Sequence, residues 1–210
     1  MPETPIYHIT HVDNLPSILA AGGLHCDGCV GKAAQNLVSI AYDHIKERRA
    51  GRTVPCGPGG VLADYVPFYF APRSPMLYTI SRGNVPGYAG GQSEVIHLVS
   101  SAEKVKEAKL GFVFTEGHAV MGFTEFFDDL ADLTRIDWPL MRSKFWNDTD
   151  QYPDRKRRRQ AEFLVLRFFP WSLITHIGVR NDKMKERVDA YLEDTDMQPH
   201  VDKRSGWYYD

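Results

Sequence analysis

The chain has 210 residues, of which 43% are hydrophobic and 12% aromatic, and this predicts one globular domain over 1–210 with a sizeable core. Its net charge of -2 gives no global reason to bind nucleic acid or membranes. No apolar run reaches the roughly 18 residues of a membrane span. The N-terminus has no secretion signal, and three cysteines are too few for a secreted disulfide framework. We therefore expect a cytoplasmic protein and, from its compact size, a monomer.

Predicted elements in the first half of the chain alternate irregularly. A strand is predicted over 5–10, a short helix within 11–23 and a loop over 23–35. An apolar stripe predicts a helix over 36–51, with its cations in the last turn, where they complement the helix dipole. The later elements of this half are strands within 61–72, 93–100 and 110–115, a helix or strand over 73–83, and a helix over 101–109.

The second half predicts a long helical stretch from Phe123 to Trp146 that is broken at 137–139. A polar loop over 147–160 then feeds a strand over 161–169. The last predicted elements are strands over 175–180 and 206–209 and a helix over 181–194. About seven short strands are thus interleaved irregularly with helices, which favours the α+β class over a doubly wound sheet.

Short motifs for metal, redox or cofactor binding are weak. Cys26 and Cys29 form a C-x-x-C pair, but Cys56 follows no zinc-ligand spacing, so we predict no metal site and no role for the cysteines. His8 and His11 would face opposite sides of a strand, and a satisfied core histidine is the simpler interpretation of His8. The glycine-rich motifs of Rossmann and P-loop sites are absent from the sequence.

A run of five cations has two interpretations. The run consists of Arg155, Lys156, Arg157, Arg158 and Arg159, and the aromatic residues Phe145, Trp146 and Tyr152 lie just before it. Most charge runs are solvated surface. Like charges repel, however, which favours an anionic partner, and aromatics beside cations suit unstacked, single-stranded bases. The run alone leaves both interpretations open.

The strand that follows this run carries one carboxylate, Glu162. Alternation places it on the same face as Leu164 and Leu166. A carboxylate on an apolar face is costly unless it is hydrogen-bonded or functional. The sequence therefore indicates either a structural ion pair or a catalytic acidic residue at this position.

Several segments together resemble a known family. They are "PIYHITHVDNLPSIL", "SIAYDHIKERR", "DYVPFYFAPRSPMLY", "GGQ", "FVFTEGHAV" and "RRQAEFLV". These segments resemble the DarT toxins, bacterial ADP-ribosyltransferases that modify DNA bases, and in particular the branch that modifies thymidine in single-stranded DNA. The resemblance runs from about Pro5 to the C-terminal "WYY".

The resemblance implies the ADP-ribosyltransferase fold, with two packed β-sheets surrounded by helices. NAD would bind in a cleft between the sheets as a substrate, without a metal. The residues that match NAD contacts of the family are His8, Ile9, Thr10, Ser17, His25, Arg49 and Tyr69. A helical element over about 30–51 would cover the NAD, and the alignment is loosest around His25.

The resemblance also implies the catalytic residues. Glu162 matches the catalytic glutamate, and Arg49 matches a residue implicated in both NAD binding and catalysis. His118 is a second candidate for base contact or proton relay. The span from about 118 to 162 matches a loop that presents substrate, so the cationic run and Tyr152 would clamp the DNA strand.

The expected function is a toxin that transfers ADP-ribose from NAD to a thymidine base of single-stranded DNA and releases nicotinamide. Its expected partner is an antitoxin, a macrodomain-type ADP-ribosyl hydrolase. Two alternatives remain open. One is a catalytically silent nucleic-acid-binding domain on the same fold, and the other is transfer of ADP-ribose to protein or RNA.

Overall fold

The computed structural model of the chain describes residues 3–29 and 37–210. Its strands are β1 Pro5–His11, β2 Gly23–His25, β3 Tyr65–Tyr69, β4 Val95–Ser101, β5 Phe112–His118, β6 Phe126–Phe127, β7 Ala161–Leu166, β8 Phe168–Pro170, β9 His176–Val179 and β10 His200–Lys203. Its α-helices are α1 Leu15–Ala20, α2 Asp43–Gly51, α3 Pro75–Ser81, α4 Ala102–Glu107, α5 Trp138–Arg142, α6 Arg155–Arg158 and α7 Asp182–Leu192. Short 3-10 helices cover Val12–Asn14, Leu62–Asp64, Leu130–Arg135, Trp171–Leu173 and Ser205–Trp207.

Eight strands form one large sheet in the order β10-β9-β4-β1-β3-β7-β5-β6, and β2 pairs with β8 in a small second sheet. The large sheet divides in the middle. β1 and β4 pair along their whole length, whereas β1 and β3 pair only where Tyr7 faces Tyr69. The α+β class expected from the sequence is confirmed, and the large sheet behaves as two half-sheets that meet at one paired position.

The two faces of the half-sheet that contains β7 bury different clusters. Phe163 stacks on Phe114, and Phe70 meets both edge-on, within the main core. On the other face, Leu164 packs into a smaller cluster with Val54, Leu62, Tyr65, Val113, Ala119 and Val120. Successive residues of a strand point to opposite faces. Glu162 therefore shares the face of the smaller cluster.

Within the described residues, the helix predicted over 36–51 begins only at Asp43. The reason is a tertiary contact that the apolar stripe does not encode. The Asn14 side chain accepts a hydrogen bond from Val38 N at 2.8 Å and donates one to Val38 O at 3.0 Å. Both backbone groups of Val38 are thus bound by a side chain, which holds this segment outside the helix.

The helical prediction for 123–136 is also wrong. Phe126 and Phe127 form the edge strand β6, and a 3-10 helix capped by Asp129 follows over Leu130–Arg135. Within the predicted helical stretch 123–146, only Trp138–Arg142 is α-helical. Cross-strand packing of Phe127 on Phe114, with ring centroids 5.3 Å apart, favours the strand over the local helical pattern.

The structure also differs from the predicted elements at several other places. The segment 161–169 is two strands, because Arg167 adopts a positive φ of 62° between β7 and β8. Residues 206–209 do not form the predicted strand. The backbone of Tyr209 binds the Gln92 side chain instead, because Tyr209 N donates to the Gln92 amide oxygen at 2.9 Å and Tyr209 O accepts from its amide nitrogen at 2.5 Å. The polar loop before β7 contains the short helix α6, and β2 and β10 were not predicted.

We predict that Gly178→Ala lowers the free energy of unfolding by about 1–3 kcal/mol, the usual cost of overpacking. A Cβ at Gly178 in β9 would overlap the Trp207 ring, which packs directly on the strand. Gly206→Ala is the matched control, because a Cβ there meets nothing within 4 Å. Urea denaturation of both variants measures the difference. Equal stability of the two variants would contradict the close packing of Trp207 on β9.

Candidate active site

The carboxylate of Glu162 lies inside the protein, with only 4% of the residue exposed. β7 carries it between β3 and β5, directly opposite Tyr69 of β3. The alternation with Leu164 and Leu166 is as the sequence predicted, since both contact the smaller cluster. The strand geometry alone therefore buries a charged group on an apolar face.

A bulge in β5 opens the sheet beside Glu162. Phe114 pairs with Phe163 and His118 pairs with Ala161, so three residues of β5 stand opposite Glu162 alone. Within this bulge, Thr115 Oγ1 accepts a hydrogen bond from Glu162 N at 3.1 Å and donates one to Gly117 O at 2.7 Å. A side chain thus replaces the backbone partner that Glu162 loses at the bulge.

The bulge turns the end of β5 towards the carboxylate. Glu162 Oε1 accepts a hydrogen bond from Ala119 N at 3.1 Å, and His118 Nδ1 lies 3.3 Å from the same oxygen. On the other oxygen, Arg49 Nη1 donates to Glu162 Oε2 at 2.7 Å. Sequence reasoning identified His118 and Arg49 but not the backbone donor Ala119 or the Thr115 hydroxyl.

These partners keep Glu162 ionised. Burial acts to raise the pKa of its carboxyl, but the Arg49 guanidinium and His118 outweigh burial and lower the pKa to about 2. An ionised carboxylate has about four acceptor positions. Arg49, Ala119 and His118 occupy three of them, so one acceptor position remains for a ligand hydroxyl.

Arg49 comes from the last turn of α2, and its side chain is 8% exposed. Burial opposes the charge of the guanidinium, but the adjacent Glu162 raises its pKa above the ordinary value, with smaller contributions from Tyr69 and Asp27. Arg49 is therefore a permanent cation at this site. It can stabilise negative charge but cannot accept a proton.

Tyr69, which faces Glu162 across β3 and β7, and His8 of β1 are both neutral. Burial raises the pKa of Tyr69, and the charge of Glu162 raises it further. Burial lowers the pKa of His8, whose Nδ1 is 2.8 Å from Pro67 O. Asp27, on the exposed turn after β2, acts electrostatically on both His8 and Arg49. No sequence pattern indicated a role for Asp27.

The remaining predicted NAD residues occupy different environments. Ile9 is part of the main core, and Thr10 is buried, with its Oγ1 accepting from Asn14 Nδ2 at 3.1 Å. Ser17 is exposed on α1, and His25 is exposed and packs its ring against Phe168 at 4.7 Å. Part of the predicted covering element, 30–36, lies outside the described residues. The roles of these residues in binding remain predictions.

The five cations before β7 do not form one surface. Arg159 is 3% exposed and donates to the carbonyls of Leu140 and Arg73. Arg155 donates to Phe145 O at 2.6 Å, and Arg158 pairs with Asp154 at 3.4 Å. The outward-facing members are Lys156, which is exposed, and the half-buried Arg155 and Arg158, beside Tyr152, which is 54% exposed.

Arg157 braces the bulge. Its guanidinium binds both carboxylate oxygens of Glu116 at 2.6 and 2.9 Å and also contacts Asp154 and Thr124. A Cβ at Gly117 would overlap this guanidinium. Glycine at 117 therefore lets Arg157 lie against the bulge that presents His118 and Ala119. A glycine inside a strand is a known sign of a bulge. Gly117 lies inside the observed β5 but beyond the strand predicted over 110–115, so the sequence prediction missed the bulge.

Over residues 3–29 and 37–210, no three histidine, cysteine or acidic side chains are grouped so as to hold a metal ion. In the same ranges, no helix combines the length and apolar character that a membrane span requires.

Comparison with known proteins identifies the family. Residues 7–209 match the family described as ssDNA thymidine ADP-ribosyltransferase, DarT. The chain belongs to the DarT family. A DNA ADP-ribosyl transferase of Thermus sp. (strain 2.9) is 47% identical over 208 residues, which cover 98% of this chain and 96% of that protein.

Solved structures of the DarT from Thermus sp. 2.9 share the fold. Its complex with ADP-ribosylated ssDNA matches with a TM-score of 0.91 and 46% identity over 99% of this chain and 97% of that one. Its complex with NAD+ matches with a TM-score of 0.90 and 43% identity over 100% and 99%. The expected ADP-ribosyltransferase fold is therefore confirmed for this DarT family member.

A more distant relative joins two activities in one chain. The DNA ADP-ribosyl transferase–DNA ADP-ribosyl glycohydrolase fusion protein of Thermosipho africanus is 26% identical over 163 residues. The match covers 76% of this chain and 38% of the fusion protein. In that relative, a DarT-like segment is covalently linked to a hydrolase.

The stability of the fold should depend on pH through Glu162. Folding lowers the pKa of this carboxyl from 4.5 to about 2. Its stabilising contribution is therefore complete above about pH 5 and is lost as the pH falls from about 4.5 towards 2. At roughly 1.36 kcal/mol per pH unit, the contribution is on the order of 3 kcal/mol.

We expect wild type to exceed Glu162→Gln in free energy of unfolding at neutral pH, and the gap to narrow steadily below about pH 4.5. Urea denaturation across the pH range measures this gap. Glu125→Gln is the matched control, because Glu125 and its partner Arg135 are both exposed and contribute little. If the difference in free energy of unfolding between wild type and Glu162→Gln stays constant down to about pH 2, the carboxylate is not held ionised.

Proposed function

We propose that this chain transfers ADP-ribose from NAD to a thymidine base in single-stranded DNA and releases nicotinamide. The observation that supports this proposal most directly is the buried, ionised Glu162. Its carboxylate contacts Arg49, His118 and Ala119 N, and one of its acceptor positions remains free for a ligand. Membership of the DarT family makes NAD the donor, since a relative of 43% identity is solved in complex with NAD+. NAD is consumed as a substrate.

Glu162 stabilises the transition state of this reaction. The bond between nicotinamide and ribose breaks, nicotinamide leaves with the bonding electron pair, and positive charge develops on the ribose as an oxocarbenium ion. The carboxylate interacts with a charge that appears only in the transition state, and it does so at a site of low local dielectric. Its spare acceptor position binds a ribose hydroxyl and fixes the ring against it.

The acceptor nitrogen of thymine then bonds to the ribose carbon and gives up its proton. Arg49 stabilises the developing base anion as a cation, because an arginine does not act as a resting base. His118 contacts the Glu162 carboxylate and has 20% of its side chain exposed, so it can relay the proton to solvent. Overall, NAD and thymidine give ADP-ribosylated thymidine, nicotinamide and one proton.

The NAD contacts follow the family match. His8 keeps Nδ1 on Pro67 O, which leaves Nε2 for the ligand, and its lowered pKa keeps the imidazole neutral. Tyr69 lies opposite Glu162 and borders the same space. The other members of the NAD set are Ile9, Thr10, Ser17, His25 and Arg49, with Ser17 and His25 presenting exposed side chains at its rim.

The DNA strand is clamped mainly by the outward-facing part of the cationic run, namely Arg155, Lys156 and Arg158, with Tyr152 as an aromatic neighbour. Phosphate contacts of this kind provide affinity and register, and base contacts provide sequence choice. Arg157 and Arg159 support the strand site from inside the protein, because their guanidinium groups already bind protein carboxylates and carbonyls.

The biological role that fits this activity is a toxin that acts on DNA in the cytoplasm as a monomer. Its partner is an ADP-ribosyl hydrolase of the macrodomain type that serves as antitoxin. The fusion of such a transferase to a glycohydrolase in Thermosipho africanus supports a partnership with a hydrolase. The intact set of His8, Arg49 and Glu162 argues against a catalytically silent DNA-binding domain.

The test is incubation with NAD and, separately, single-stranded DNA, duplex DNA, RNA or a protein mixture, followed by mass spectrometry for added ADP-ribose. We expect transfer to single-stranded DNA alone, reduced at least about 100-fold in Glu162→Gln, as for loss of a transition-state electrostatic partner. Glu125→Gln, the exposed control, should retain full activity. Product on protein or RNA would favour the alternative acceptor, and no product at all would favour a silent domain.

The packing of Arg157 against Gly117 in the β5 bulge should affect the rate of transfer. Gly117→Ala should displace the Arg157 guanidinium and shift His118 and Ala119 away from Glu162. Misplacement by about 1 Å can cost up to roughly 100-fold in rate, so transfer should slow by about 10- to 100-fold. Gly122→Ala is the matched control, since a Cβ there meets nothing within 4 Å. Single-turnover rates measure the effect. Equal rates for the two variants would show that the packing of Arg157 on the β5 bulge does not position His118 and Ala119 for the reaction.

A further inference from the structure

The C-x-x-C pair lies in a tight turn directly after β2. Its spacing alone indicates no role, but the structure brings the two cysteines together. Cys29 N donates a hydrogen bond to Cys26 O at 3.0 Å, so they are the first and last residues of a closed β-turn. The Cα atoms of these positions lie within about 7 Å of each other, the separation beyond which two cysteines cannot be bridged. The turn therefore already has the backbone geometry of a disulfide.

The two thiols lie in contact but differ in their access to solvent. Cys26 is fully buried in the main core, whereas Cys29 is exposed, and both are free cysteines. Burial and a hydrogen bond with the Cys29 thiol raise the pKa of Cys26 to about 11. Cys26 alone therefore stays protonated, and an oxidant that arrives from solvent reaches Cys29 first.

Backbone contacts tie this turn to the support of Arg49. Gly28 N, in the middle of the turn, donates to Ala63 O at 2.8 Å. Ala63 belongs to the 3-10 helix Leu62–Asp64, and Leu62 O accepts a hydrogen bond from Arg49 Nη2 at 3.4 Å. The turn therefore packs on the same short helix that holds the Arg49 side chain.

Asp27 places a charge between the two cysteines. Its carboxylate acts electrostatically on both His8 and Arg49, which belong to the proposed NAD set. Interactions between exposed charges are screened over about 10 Å in physiological salt, so Asp27 acts on these residues only from a nearby position. The conformation of the turn therefore sets the electrostatic field at the NAD site.

We propose that Cys26 and Cys29 are a redox modification site, at which a small-molecule disulfide such as oxidised glutathione generates an intramolecular disulfide that fixes the Asp27 turn beside the NAD site. The effect on NAD rests on the proposed function. In a reducing compartment the thiol pool keeps such pairs reduced. The disulfide therefore forms when oxidised thiols accumulate, and it reverts when they are consumed.

The step is a two-electron thiol–disulfide exchange. The Cys29 thiol loses its proton to solvent, and the thiolate attacks one sulfur of the small disulfide, which forms a mixed disulfide and releases a first thiolate. Cys26 then gives up its proton and attacks Cys29 Sγ, which breaks the mixed disulfide and releases a second thiolate. The two released thiolates take up the two protons. Two protein thiols and one small disulfide thus give one protein disulfide and two small thiols.

Bond formation draws Cys29 towards Cys26 rather than the reverse. Cys26 is held in the core, and its N donates to Arg167 O at 2.9 Å. The two sulfurs must approach from hydrogen-bonding contact to roughly 2.05 Å. The turn then has one conformation before a ligand arrives, and a preorganised loop loses less entropy on binding. The oxidised form should therefore bind NAD more tightly, with bond cleavage at Glu162 unaffected.

The test compares wild type, Cys29→Ser and Cys56→Ser after treatment with oxidised glutathione or with dithiothreitol. Cys29 is exposed, so its replacement by serine should leave the fold intact. Cys56→Ser removes a thiol outside the turn and is the matched control. Alkylation after acid quenching and unfolding counts the free thiols, and peptide mapping locates any disulfide. The Tm and the apparent KM for NAD are measured on the same samples.

We expect oxidation to leave wild type with one alkylatable thiol of its three and Cys56→Ser with none. The Tm of both should rise by about 2–4 °C, because the crosslink restricts the unfolded chain. Their apparent KM for NAD should fall about three-fold or more, with kcat and the KM for DNA unchanged. Dithiothreitol should reverse each effect, and Cys29→Ser should show neither the shift in Tm nor the change in KM.

Three free thiols in wild type at excess oxidant, or a disulfide mapped to Cys56, would overturn the modification site. A mixed disulfide that persists on Cys29 would also overturn it, because Cys26 then does not reach Cys29. An oxidised protein whose KM for NAD is unchanged or higher would overturn the link to the NAD site. If wild type transfers no ADP-ribose in either state, the proposed function fails, and the thiol count and Tm still decide the disulfide.

Discussion

A carboxylate that carries a full negative charge inside a protein must be matched by fixed donors, and in this chain that requirement organises the site. Glu162 is buried on an apolar face and is held by the Arg49 guanidinium, the Ala119 amide and His118. Each partner needs its own piece of structure. α2 must end where Arg49 reaches the sheet, and β5 must bulge so that its last residues turn inward. The result is an acceptor that is already ionised and oriented before a ligand arrives.

Side chains that bind backbone groups recur in this fold and explain why several elements differ from the sequence pattern. Asn14 binds Val38 and Gln92 binds Tyr209, each through one donor and one acceptor, while Thr115 binds the backbone of Glu162. In each case a polar side chain takes the place of a helix or strand partner. Such contacts join residues far apart in sequence, so local periodicity cannot reveal them.

The sequence predicted the strands around the site and the face on which Glu162 lies, because a period of two and burial are local properties. It identified Arg49 and His118 only through the family resemblance, since nothing local brings a residue of α2 to β7. The cationic run was misleading in part. Arg157 and Arg159 look the same as Arg155 in the sequence, yet their guanidinium groups face inward and bind protein atoms. Asp27, Glu116 and the Ala119 amide depend on the three-dimensional arrangement and carried no such signal.

The Arg157 guanidinium also joins the two ends of a long segment between Thr124 and Asp154. Thr124 near its beginning and Asp154 near its end are both bound by this one guanidinium, which is tied to β5 through Glu116. The residues that hold Glu162 lie outside the closed segment between them. Substitutions within this segment can therefore accumulate while the contacts that hold Glu162 stay unchanged. One guanidinium thus separates a part of the chain that is free to change in sequence from the part that fixes the position of the carboxylate.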